Sequence, residues 1–137
     1  MAKLERGQFI MIREGTAARN LEALAPLLCE KYIERCMFCT DDKHPNDLLE
    51  KGHIDYIVKK AISLGADPIV AVKAACHNAA RYFLLNNRGA IAPGYLGDFV
   101  IIETSNTSRS RWSINVASSC TTASCGTSLP RRSTPIW

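Results

Sequence analysis

No stretch of this chain approaches the roughly 20 consecutive apolar residues that a membrane-spanning helix needs. The polar opening Met1-Ala2-Lys3-Leu4-Glu5-Arg6 also lacks the apolar core of a secretory signal, so a cytoplasmic location and no membrane partner are the expectation. Histidine is scarce. Only His44, His53 and His77 occur, and neither a His-x-His nor a His-Glu-x-x-His string exists, which removes the usual ways of presenting two imidazoles to one metal. His44 before Pro45 reads as a turn residue, His53 as a helix start, and His77 as a helix residue among small neighbours. Acidic residues are missing after Glu103: all 13 lie at or before it, together with 13 of the 17 basic ones. The net charge of +4 is therefore the tail's Arg109, Arg111, Arg131 and Arg132. That is no basic groove interleaved with aromatics, and nucleic acid is not an expected partner.

What is present is enough apolar material, 47% of 137 residues, for one small domain. Six cysteines without a secretory signal do not read as a disulfide framework. Cys36 and Cys39 have CxxC spacing, but residues three apart on a strand point to opposite faces, and the motif does not open a helix. They read as buried strand cysteines.

The organising stretch is Arg35-Cys36-Met37-Phe38-Cys39-Thr40-Asp41-Asp42-Lys43-His44-Pro45, an apolar run that ends on two carboxylates and a turn. Upstream, Gln8-Phe9-Ile10-Met11-Ile12-Arg13-Glu14-Gly15 repeats the design. Two such strands joined by a helical segment make a βαβ unit, whose chain-end groups converge on one edge of a parallel sheet. The intervening residues 16–34 read as helical with an interruption at Pro26.

His44 to Asp47 reads as a turn, and Leu48 to Lys51 as a short helical turn closed by Gly52. Ile54, Ile57, Val58, Ala61 and Ile62 follow helical spacing up to Gly65. Asp67-Pro68 reads as an N-cap and first helical residue of a second helix running to about Leu85. Asn86 to Gly89 is a loop, Pro93-Gly94 a turn, and Phe99 to Ile102 a strand opening a hairpin. From Thr104 the composition breaks into serine and threonine without periodicity, the signature of a disordered tail.

From about Lys3 to Ile102 the chain resembles the carboxyl-terminal part of the bacterial adenine deaminases of the amidohydrolase superfamily. The residues that carry the likeness are Met11 to Gly15 with Asn20 to Leu24, the string Phe38-Cys39-Thr40-Asp41-Asp42-Lys43-His44-Pro45, and Gly52-His53-Ile54-Asp55. Gly89 to Gly94 with Asp98-Phe99-Val100 is similar to the superfamily's return into its β domain. The resemblance implies an α/β fold, a partial (β/α)8 TIM barrel containing strands seven and eight, over residues 1–87. Residues 88–103 would start the carboxyl-terminal β domain, and residues 104–137 form a disordered or frameshifted tail. Codons can be chosen for which a one-base shift near Ile102 restores alternating strands of mixed charge.

The implied reaction is metal-dependent hydrolysis of adenine to hypoxanthine and ammonia, in purine salvage or adenine catabolism, with a divalent metal (manganese foremost, iron or zinc otherwise). Asp41 matches the superfamily's strand-eight aspartate, which both contacts metal and transfers the proton. Arg13, Glu14 and Asp42 are the candidate substrate contacts, although capping suits Asp42, and a rim ion pair suits Arg13 and Glu14. The implied partners are adenine and the amino-terminal barrel portion, in a homo-oligomeric parent enzyme. The other metal ligands of that family are not in this sequence, so the chain alone is expected to be inactive. Its alternatives are a non-catalytic truncated gene product or another deaminase of the superfamily. The zinc cytidine-deaminase signature is absent, and Gly97 stands where superfamily members usually place alanine.

Overall fold

In the computed structural model, the backbone of residues 2–103 and 113–117 and the side chains of residues 2–100 are described. The rest of the expected tail lies outside the described residues. A helical turn, α1 (Ala2–Glu5), leads into strand β1 (Ile10–Arg13). Between β1 and the next strand, residues 16–34 form less helix than their leucine spacing suggests. Only α2 (Leu21–Leu24) is α-helical, followed by 3₁₀ turns at Ala25–Leu27 and Ile33–Arg35. Pro26, lacking an N–H, sits inside the first of these turns. Residues 15–20 are taken by a tight loop in which the Gly15 amide donates to the Ala18 carbonyl.

Strand β2 (Cys36–Cys39) pairs parallel to β1, with Ile10 opposite Cys36 and Arg13 opposite Cys39. The βαβ reading therefore holds, and both strands end on the same side. His44-Pro45 opens a helix rather than a turn: Pro45 is the first residue of α3 (Pro45–Lys51), with His44 extended before it. Gly52 ends α3 with a positive φ of 95°. The helix α4 (Ile54–Ser63) buries Ile57, Val58 and Ala61, and Gly65 follows at φ 95°. Asp67 caps α5 (Pro68–Ala75) by accepting from the amides of Ile69 and Val70.

The second helix breaks at Cys76 and resumes as α6 (His77–Tyr82). Apolar periodicity cannot register such a break. It brings the buried Asn78 amide against the carbonyls of Ile33 at 2.6 Å and Cys36 at 2.9 Å. Because Cys39 turns its carbonyl to β1 through the Glu14 amide, alternation turns the Cys36 carbonyl to the outer edge of β2. Asn78 thus satisfies that one carbonyl at the start of β2. Asn20 does the same on β1, accepting from the Arg13 amide at 2.8 Å and donating its own amide to the Arg13 carbonyl at 2.9 Å. Finally β3 (Phe99–Glu103) pairs antiparallel with β4 (Ser113–Ala117).

The core lies on the helical side of the β1–β2 pair. Ile12, Leu21, Cys36 and Ile57 are fully buried, and Ala71 and Ala74, three apart on α5, let that helix pack close to β2. Asn78→Ala would strand the buried Cys36 carbonyl and leave the Ile33 carbonyl with the Cys36 amide alone. It is expected to cost about 2–3 kcal/mol, read as a lower urea midpoint at unchanged slope.

Candidate active site at the carboxyl ends of the paired strands

Every candidate side chain arrives from the end of β1 or from the two loops that leave β1 and β2. Asp41 follows β2 with φ 55°, a left-handed conformation that Asp tolerates better than most residues. Its Oδ2 accepts from Arg13 Nη1 at 2.6 Å. Both side chains are nearly half exposed, at 47% for Arg13 and 40% for Asp41. The pair lines an open cleft of about 1050 Å³ together with Met11, Asn20, Leu24, Leu27 and Cys39.

Asp42 turns the other way. Its carboxylate accepts from the Ala17 amide at 3.0 Å and the Ala18 amide at 3.2 Å, so it caps the loop after β1 rather than its own turn. Gly15 is required for this approach: a Cβ there would lie 1.8 Å from Asp42 Oδ1 and 2.7 Å from the Thr40 carbonyl. Thr16 joins the same clasp, its Oγ1 accepting from the His44 amide at 2.9 Å and donating to Asp47. Two loops about 25 residues apart in sequence are thereby stitched together.

Glu14 is buried, 2% exposed, and ion-paired through Oε1 with Lys60 of α4 at 2.9 Å, while Oε2 has no partner. Lys60 also meets Glu22, and its pKa is raised by the hydrogen bonds it donates to Glu14 and then to Glu22. Glu14 does not line the cleft. The structure thus joins Arg13 to Asp41, and it commits Asp42 and Glu14 to partners outside the cleft lining.

Sequence reasoning missed Lys60, Thr16, Asp47 and Lys43. Lys60 carries no signal beyond being a charge beside an apolar stripe. Lys43 Nζ is buried over the Tyr56 ring at 4.5 Å without a hydrogen-bond partner, and burial pushes its pKa down. His53 Nε2 lies 3.4 Å from Thr40 Oγ1. Cys36 is in the core, where burial pushes its thiol up to about 11. Cys39 borders the cleft and is raised by burial and then by Asp41. Neither is a ready thiolate.

The clasp titrates. The Ala17 amide, with Ala18, holds Asp42 below the usual range, and Lys51, then Thr16, hold Asp47 down at about 2. A carboxylate depressed on folding contributes stability that is complete above its unfolded value and lost as pH falls through its folded one. Unfolding temperature should therefore fall between about pH 4 and pH 2, and less steeply in Asp42→Asn and Asp47→Asn, as followed by circular dichroism.

Among the described residues no group of three or more His, Cys, Asp and Glu side chains is placed to hold a metal ion. Asp41 has a guanidinium as its partner instead. These residues do not by themselves fit the divalent metal that the resemblance implies. Nor, among the described residues, is any helix long and apolar enough to cross a membrane.

Comparison with known proteins gives the family. Residues 5–125 match the Amidohydrolase family, a match that runs past the composition break at Thr104. The chain is 57% identical over 101 residues to a protein named adenine deaminase from Kosmotoga olearia, covering 74% of this chain and 18% of that relative. It is 52% identical over 103 residues to the adenine deaminase of Thermosipho africanus, covering 75% and 18%. For the adenine deaminase of Oceanobacillus iheyensis the figures are 50% over 104 residues, 76% and 18%. The chain thus spans about 18% of the length of these relatives.

Proposed function

The chain belongs to the amidohydrolase family, and from that premise we propose that it is a carboxyl-terminal portion of an adenine deaminase, supplying the acid–base carboxylate for hydrolysis of adenine to hypoxanthine and ammonia. The observation that carries this reading is Asp41, held at the carboxyl end of β2 beside Arg13 at the mouth of an apolar cleft. Barrel enzymes keep their chemistry at that end of their strands. β1 and β2 are then strands seven and eight of the barrel, and residues 88–103 begin the β domain.

Deamination requires a proton to leave the attacking water and one to reach the departing amine, and a single carboxylate at the reacting carbon can carry both. Asp41 takes that role. Its half-exposed carboxylate is open to the cleft. Arg13, beside it, contacts the purine, and the walls Met11 and Leu24 border the ring. Glu14 and Asp42 are braces rather than substrate contacts, because Lys60 holds the first and loop amides occupy the second. No step is assigned to metal on these residues. In the enzyme, manganese and its remaining ligands come from the rest of the barrel, whose strands flank this pair in a homo-oligomeric, cytoplasmic protein. A change of reading frame near residue 103 is our reading of the tail's composition, against a family match that runs on to residue 125, and the nucleotide sequence decides between them.

The test is a chimera of the Kosmotoga olearia relative in which the matching 101 residues are replaced by those of this chain. Adenine turnover, followed by ultraviolet absorbance, is expected in the chimera and not in the 137-residue chain alone. A folded chimera without turnover would sink the reading.

A further inference from the structure

We propose that Asn20 sets how far a neighbouring strand can run along β1: a parallel strand from the rest of the parent enzyme docks on the outer edge through Met11 and stops short of Arg13, which leaves the Arg13–Asp41 pair uncovered. The hydrogen bonds of β1 divide between two edges. Glu14 donates its amide to the Cys39 carbonyl, so alternation turns residues 10, 12 and 14 towards β2 and residues 11 and 13 away from it. At Arg13 the outward pair is already taken. Its amide donates to Asn20 Oδ1 at 2.8 Å, and its carbonyl accepts from the Asn20 amide at 2.9 Å. At Met11, two residues earlier, neither outward group finds a partner among the described residues. The edge is therefore closed at its carboxyl end and open at Met11.

The space beside Met11 suits an extended chain. The consecutive residues from Gly7 to Met11 line the cleft together with the apolar Leu4 and Leu27, and Phe9 and Met11 remain 37% and 38% exposed. An unpaired edge flanked by apolar side chains is what an added strand completes. The occupant comes from the same enzyme, because this chain spans only about 18% of the length of its relatives and its described strands offer β1 no partner but β2. Its direction follows from the parallel β1–β2 pair and from the proposed barrel, on which the inference rests for the identity of the partner. A strand that ends level with Met11 covers the apolar part of the cleft. Arg13, Asn20 and Asp41 then line what stays open.

The test reads backbone amides and needs no turnover, so a folded but inactive chimera would sink the deaminase reading and still decide the register. Hydrogen–deuterium exchange is followed at single-residue resolution, by mass spectrometry with electron-transfer fragmentation, in the 137-residue chain and in the chimera with the Kosmotoga olearia relative. The Met11 amide is expected to exchange about 100-fold more slowly in the chimera than in the chain alone, whereas the Arg13 amide is protected in both. Asn20→Ala should strip that protection from Arg13 in both proteins and leave Met11 slow in the chimera. Asn20→Asp, which keeps an acceptor for the Arg13 amide, should retain it and remains informative if Asn20→Ala unfolds. An Arg13 amide that stays slow in the Asn20→Ala chimera would show the neighbouring strand running past Met11 and would overturn the proposal. A Met11 amide equally fast in both proteins would do the same, as would one that slows in the chain alone as its concentration rises, which would make the occupant a second copy.

Discussion

Replacing Gly15 by alanine is expected to lower the thermal midpoint by about 10 °C, equivalent to about 2–3 kcal/mol of overpacking. The added methyl has no free direction: it meets Asp42 Oδ1 at 1.8 Å and the backbone carbonyl of Thr40 at 2.7 Å. The carboxylate can swing aside only by leaving the Ala17 and Ala18 amides. The carbonyl belongs to the residue before Asp41 and moves only if the turn moves. The same substitution made in an Asp42→Ala background should cost less, because one of its two obstacles is gone. Differential scanning calorimetry of the four proteins gives that coupling directly. A shift of under about 2 °C for the single variant would mean that the loops part freely and that the clasp does not fix Asp41.

The clasp bears on the proposed site because it ties together the loops next to Arg13 and Asp41, both of which line the cleft. Arg13 is two positions before Gly15, and Asp41 immediately precedes Asp42. A constraint between Gly15 and Asp42 is therefore a constraint on the Arg13–Asp41 pair. The lysine behind it works in the same sense, since Lys60 ties Glu14, the residue between Arg13 and Gly15, to α4.

The sequence made part of this legible. Two apolar runs that each end in charge announced parallel strands with their charged ends on one side, and Asp41 and Arg13 came together as their positions suggested. Gly65 and Asp67-Pro68 punctuated α4 and α5 as read, because caps act within a few residues and leave a local trace.

The clasp left none. Asp42 with Ala17, and Thr16 with His44, are pairings across more than twenty residues, and nothing local distinguishes them from turn residues. His44-Pro45 is ambiguous by its own physics, since a fixed φ suits both a turn and the first residue of a helix. The break at Cys76 is invisible for another reason. The apolar stripe continues on both sides, and its buried polar correlate, Asn78, answers to strand-edge carbonyls more than forty residues earlier. The leucines of residues 21–28 kept helical spacing, but Pro26 and the loop demand of Asn20 left room for only one α-helical turn.

Asp41→Asn in the active chimera with the Kosmotoga olearia relative carries the second large effect. Asparagine keeps the shape of the side chain and can still accept a hydrogen bond from Arg13, but it cannot take a proton from water and return it to a leaving amine. Loss of a positioned acid–base group costs about 10²–10⁴ in rate, and a residue serving both proton transfers should fall at the upper end. Because Asp41 is half exposed, the substitution leaves the core untouched, and its loss should appear in kcat rather than as unfolding. Asp42→Asn, one residue away, should leave kcat within about tenfold, since it retains an acceptor for the loop amides.

The most direct measurement is the ratio of kcat for adenine between the chimera and its Asp41→Asn variant, with unfolding temperatures recorded alongside. A fall of at least about 10³-fold at an unchanged unfolding temperature is the predicted result. A variant that keeps kcat within about threefold of the chimera would contradict the assignment of Asp41.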